Sequence, residues 1–142
     1  MLSRVFLAFL AAAAGLIPAL CLAETHRLTV NVTGAEPSTG TVEITLFNSA
    51  ENFHKKAWMQ QSGPPNSKGQ YSTIFASVPN GDYAVIAVHD ANQNQKLDNG
   101  FLGFGGEGFG YSNQAWSIFG RPGFEDASFT VTEATVINIE LE

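Results

Sequence analysis

Apolar and polar residues alternate with a period of two in several short runs, and that spacing puts every second side chain on one face, as half-buried β-strands require. Leu28, Val30 and Val32 form one such run and Val42, Ile44 and Leu46 another, with Gly34 to Gly40 as turn material between them. Strand character returns at Thr73 to Val78, and Pro79-Asn80-Gly81 then makes a turn. Tyr83 to Val88 is a nearly continuous apolar run, which suits a central strand covered on both faces. Ala127 to Val131 and Val136 to Leu141, separated by Thr132-Glu133-Ala134, predict a closing hairpin. The polar stretch from Asn48 to Gln70 contains Gly63-Pro64-Pro65 and is expected to be a long crossover loop, with a helical turn near Phe53, Ala57, Trp58 and Met59. Six or seven strands with little helix predict an all-β fold, a sandwich of the immunoglobulin or transthyretin-like kind with a long Gly- and aromatic-rich loop.

The first 23 residues read differently. Arg4 is followed by an uncharged apolar run from Val5 to Leu22, and Cys21-Leu22-Ala23 is small at both ends. This is the layout of a secretory signal peptide cleaved after Ala23, leaving residues 24 to 142 as a single β domain. A spanning helix needs about 20 apolar residues, but Pro18 and the small residues near Ala23 favour cleavage over a retained anchor. Leu20 precedes Cys21 where a lipoprotein signal has a small residue, so no lipid anchor is expected. Cleavage removes the chain's one cysteine, so the mature domain has no disulfide and is expected to rely on packing and a metal. The formal net charge is −6, and losing Arg4 makes it one unit more negative. Such a surface argues against nucleic acid and anionic lipid as partners and is compatible with binding cations.

The strongest chemical signal is the loop that begins at His89. In Asp90-Ala-Asn92-Gln-Asn94-Gln-Lys96-Leu-Asp98, oxygen-bearing side chains fall at alternate positions, as a cage of six to eight hard oxygen ligands for calcium demands. With Asp90 first, Asn92 and Asn94 are third and fifth, the Lys96 carbonyl seventh and Asp98 ninth, as in an EF-hand loop. Gln95 stands where the EF-hand has Gly, and Phe101 where it has a bidentate Glu, so this is a calcium loop placed after a strand and not an EF-hand. Glu107 is the nearest downstream carboxylate and the candidate for the missing acidic ligand, with water as the alternative. With two or three carboxylates the ion would be structural and bound weakly, with Kd around 10⁻⁴–10⁻³ M. The same residues could instead build successive Asx turns without any metal.

Gly103-Phe-Gly105-Gly-Glu-Gly108 fits the dinucleotide pattern, but it follows a polar loop and lacks the βαβ setting that gives the pattern meaning. Phe101, Phe104, Phe109, Tyr111, Trp116, Phe119 and Phe124 are interleaved with glycines. They could form a binding surface on loops held by a rigid scaffold, or plug the end of the sandwich as a satellite core, which the self-packing of long loops favours. Catalytic residues are not assignable: His26, His54 and His89 are scattered, and no nucleophile, base and orienting group can be named together. The competing enzymatic alternative is a metal-assisted hydrolase or isomerase using His89, Asp90 or Glu107. A scaffold component of an envelope assembly is a further one.

Leu28-x-Val30-x-Val32, Gly40-Thr-Val42, Pro79-x-Gly81-x-Tyr83-Ala84, His89-Asp90-x-Asn92-x-Asn94, Asp98, Glu107-Gly-Phe-Gly110-Tyr-Ser112-Asn113 and Phe124-x-Asp126-Ala127 together resemble the DUF2141 family of exported bacterial proteins, over essentially the whole mature chain. The resemblance implies a periplasmic or secreted β domain and names no reaction. The expectation is an exported, non-enzymatic module with a structural calcium ion. It would bind a small molecule or envelope protein through its Asp90 to Phe124 end and keep no membrane anchor after cleavage.

Overall fold

The computed structural model describes residues 22–94 and 107–142. The expected signal segment up to residue 21, and Lys96, Asp98, Phe101 and Phe104, lie outside the described residues. Eight strands occur among those described: β1 Thr25–Thr33, β2 Thr41–Phe47, β3 Met59–Gly63, β4 Tyr71–Pro79, β5 Gly81–Asp90, β6 Phe109–Tyr111, β7 Phe129–Val131 and β8 Thr135–Glu140. A 3-10 turn, Ser112–Gln114, and one helical turn, α1 at Phe124–Ala127, complete them.

The strands form a two-sheet sandwich. One sheet runs β4-β1-β8, with β1 antiparallel to β4 and parallel to β8. The other runs β3-β2-β5, and both β6 and β7 lie along the far edge of β5. The predicted alternation is realised: Leu28, Val30 and Val32 from one sheet and Val42, Ile44, Leu46, Val85 and Ala87 from the other are buried in one core. That core removes the apolar face of each sheet from water, which is the main favourable term for a fold with so little helix.

Three expectations are corrected. Phe129–Val131 and Thr135–Glu140 do not form a hairpin, because β7 pairs with β5 while β8 crosses to the other sheet and pairs with β1. In that position Ile139 is buried beside Val32, its register partner, and β8 covers an edge of β1 that a hairpin would leave open. The polar stretch also contains a strand, Met59-Gln-Gln-Ser-Gly63, which pairs antiparallel with β2 and largely exposes its side chains. Its order comes from the backbone ladder at a sheet edge, so hydrophobic alternation does not mark it. Ala127, expected to open a strand, instead ends α1.

The far edge of β5 is divided. β7 covers Gly81–Tyr83 and β6 covers Ile86–Val88, so the main chain between them needs another partner. Ser112 provides it: the Val85 amide donates to Ser112 Oγ at 2.9 Å, and that hydroxyl donates to the Ala127 carbonyl at 2.5 Å. Ser112 is completely buried. A second bridge joins the two sheets at their corner, where Glu142 and Phe109 exchange main-chain hydrogen bonds of 3.0 and 3.3 Å and the Leu141 amide donates to Thr33 O at 2.9 Å. This approach needs Gly110, since a Cβ there would stand 2.6 Å from both Glu140 O and Ile139 Cγ2.

Replacing Ser112 by Ala should strand the Val85 amide and the Ala127 carbonyl at no gain in packing. Urea unfolding should show a loss of about 1–3 kcal/mol, the cost of a buried unsatisfied polar group, with the slope unchanged. A loss below about 0.5 kcal/mol, the scale of an ordinary surface substitution, would show that the hydroxyl does not hold this edge.

Candidate ligand cavity and acidic loop

The same alternation that fills the core also builds a second apolar face. Opposite the core side, β2, β5 and β6 place Thr45, Ile86 and Tyr111 in one row and Glu43, Val88 and Phe109 in the next, by their ladder register. Part of this outer face is covered by a satellite core of Phe47, Phe53, Ala84, Tyr111 and Ala127, with Ile86, Ala115 and Phe124 packed against it. Phe53 is its hub, with edge-on ring contacts to Phe47 at 5.2 Å and Phe124 at 5.7 Å.

Beside that cluster the face opens into a cavity of about 610 Å³, floored by Thr45, Ile86 and Val88. This is within the 300–1,000 Å³ range of small-molecule sites. One wall is the turn after β2, closed by Phe53 N to Ser49 O at 3.1 Å and by the Lys55 and Lys56 amides to Asn52 O at 2.9 Å each. The His54 ring packs against Phe53 at a tilt of 53° with centroids 4.1 Å apart, and its Nε2 donates to Pro122 O at 3.0 Å. That bond ties the turn to the segment Ala115–Pro122, which forms the next wall. Lys55 and Arg121 line the cavity on this side, and Glu140 and Glu142 line it near β6. Burial raises the Tyr111 phenol above the ordinary tyrosine value, while the Arg121 charge pulls it the other way. The phenol is therefore neutral at neutral pH.

The aromatic segment is split between two settings. Tyr111 and Phe124 belong to the satellite core, as a plug should. Phe109 and Trp116 line the cavity. Trp116, Ile118 and Phe119 are 68, 72 and 95 % exposed, a run of large apolar side chains presented to solvent beside the cavity mouth.

The acidic loop starts from a fixed base. His89 is buried, with Nε2 donating to Thr39 O at 2.7 Å, and Gly40 packs so closely that a Cβ would stand 2.2 Å from Asp90 O. Gly40 also has φ +65°, which glycine adopts without strain. Asp90 Oδ1 and Asn92 Oδ1 both accept from the Asn94 amide, at 3.1 and 3.0 Å. Glu107 Oε1 accepts from the Ala91 amide at 3.1 Å. Of the six predicted metal ligands, Asp90, Asn92, Asn94 and Glu107 thus come together at the two ends of the loop, and Lys96 and Asp98 lie outside the described residues. Asx turns of the expected kind are present, and their oxygens face main-chain amides. Among the described residues, no three His, Cys, Asp or Glu side chains gather as a metal-holding group.

The family model for uncharacterized proteins conserved in bacteria, DUF2141, matches residues 30–138. The chain belongs to the DUF2141 family. No curated protein matches it. The DUF2141 match runs from Val30 in β1 to Asn138 in β8 and so takes in the cavity floor and the acidic loop together.

In this DUF2141 chain several cavity residues carry little sequence signal. Ile86 and Val88 are hidden inside the apolar run of β5, whose two-sided character was the available sign that something covers the outer face. His54, Lys55 and Arg121 come to line one cavity only through folding, since the His54 to Pro122 bond spans 68 residues.

Proposed function

We propose that this protein is an exported, non-enzymatic binding module that takes a small apolar-bodied ligand in the cavity on the outer face of β2, β5 and β6. The cavity itself carries this proposal: about 610 Å³ over Ile86 and Val88, walled by Phe109, Tyr111 and Trp116. An apolar face left open beside a packed satellite core is suited to receive an apolar guest. The non-catalytic assignment is supported by the groups an enzyme would use. His89 is buried with its Nε2 proton committed to Thr39 O.

Export to the periplasm or beyond rests on the signal-like segment ending at Ala23. Cleavage there removes no strand, because β1 begins at Thr25. No helix among the described residues is long and apolar enough to cross a membrane. Calcium is assigned to the loop through Asp90, Asn92, Asn94, the Lys96 carbonyl, Asp98 and Glu107. The position of Glu107 against Ala91 supports it as the acidic ligand. The ion would fasten the loop between β5, which contributes Ile86 and Val88 to the cavity floor, and β6, which contributes Phe109 and Tyr111 to its wall.

N-phenyl-1-naphthylamine, a neutral dye that fluoresces in apolar surroundings, should bind saturably to the mature protein. Ile86→Arg, which fills the floor, should abolish the signal while thermal melting confirms the fold. Non-saturable fluorescence, or binding unchanged in a folded Ile86→Arg, would refute the cavity as a ligand site. For the ion, calcium at ten times its Kd should stabilise the metal-free protein by about 1.4 kcal/mol, raising Tm by several degrees. Asp90→Ala should lose that rise, and a wild-type Tm indifferent to millimolar calcium would remove the metal from the account.

A further inference from the structure

The cavity is not electrically uniform, and we propose that its ligand is an anionic amphiphile, a molecule with an aromatic or aliphatic body and one acidic head; this rests on the binding function proposed above. The chain carries a net charge of −6, so a cationic site on it is a local exception. Arg27, Lys55, Lys56, Lys68 and Arg121 are the lysines and arginines among the described residues. Two of them, Lys55 and Arg121, line this one cavity, and Lys56 follows directly. The His54 to Pro122 bond holds the Lys55 turn beside the Arg121 segment, which keeps both cations at one side of the opening.

Two acidic residues line the cavity beside β6. Glu140 and Glu142 flank β6, where Glu142 exchanges main-chain bonds with Phe109. An acidic head is attracted by Lys55 and Arg121 and repelled by the two glutamates, so the charges fix its orientation as well as its sign. The body then lies over Ile86 and Val88 against Phe109 and Trp116, where apolar contact supplies most of the affinity. A guanidinium and an ammonium at an exposed rim suit a carboxylate, sulfonate or phosphate head equally.

Two dyes with the same body separate the head from the pocket. 1-Anilinonaphthalene-8-sulfonate carries the sulfonate that N-phenyl-1-naphthylamine lacks. Fluorescence titration at low salt should show the anionic dye binding about fivefold more tightly, the worth of one charge pair near 4 Å in water, with the advantage shrinking as ionic strength rises. Lys55→Gln combined with Arg121→Gln should bring the two affinities together by removing the salt-sensitive advantage of the anionic dye. Both side chains are exposed, so the fold is not at stake. Trp116→Ala should weaken both dyes alike. If both bind saturably but the neutral one binds as well or better, the acidic head is overturned and the cavity function stands. If neither binds saturably, the cavity function falls first.

Discussion

The Ser112 hydroxyl sits where the architecture is most demanding. A central strand usually has one continuous neighbour on each side, but β5 has two short ones on its far edge, β6 and β7, aligned end to end. Between them the ladder is broken, and the hydroxyl closes the break by accepting from Val85 and donating to Ala127. A buried hydroxyl with both roles used is a favourable way to cross such a gap, and a half-used one would be costly. Because Ser112 follows β6 directly and Ala127 ends α1, this single group fixes the strand, the turn and the helical segment relative to one another. The segment Ala115–Pro122 leaves from that fixed point.

Everything on the outer face follows from this arrangement. β5 is apolar on both sides because both sides are used, the inner for the sandwich core and the outer for a satellite core that ends at an opening. Aromatic edge contacts around Phe53 hold the closed part, while the His54 to Pro122 bond ties together two walls of the open part. The acidic loop joins β5 to β6, and its base is gripped by Thr39 and Gly40 from the other end of β2. Changes at the loop therefore have a short mechanical route to the cavity floor.

How much of this was legible in the sequence depends on whether burial or main-chain pairing orders each element. β1, β2, β4, β5 and β8 announce themselves by alternation or by a sustained apolar run. β3 and β6 do not: one is a polar edge strand, and the other is three residues in a glycine-rich stretch, both held by ladders to partners far away in sequence. The expected closing hairpin failed because proximity in sequence does not decide which sheet a strand joins, and β8 serves the core better beside β1. Asp90, Asn92, Asn94 and Glu107 were identifiable by side-chain chemistry. The cavity was only half visible, through Phe109, Tyr111 and Trp116, because its floor and its cations become neighbours only once the sheet is built.

The central claim is that the outer face of β5 is the floor of a ligand site while its inner face is sealed core. Methyl chemical shifts of the mature protein, followed while a naphthyl ligand is added, test it residue by residue. The account predicts large ring-current shifts at Ile86 and Val88, with Ile44, Val30 and Val85 unmoved. Shifts confined to Ile118 and other exposed apolar residues, or spread equally through the inner core, would contradict it.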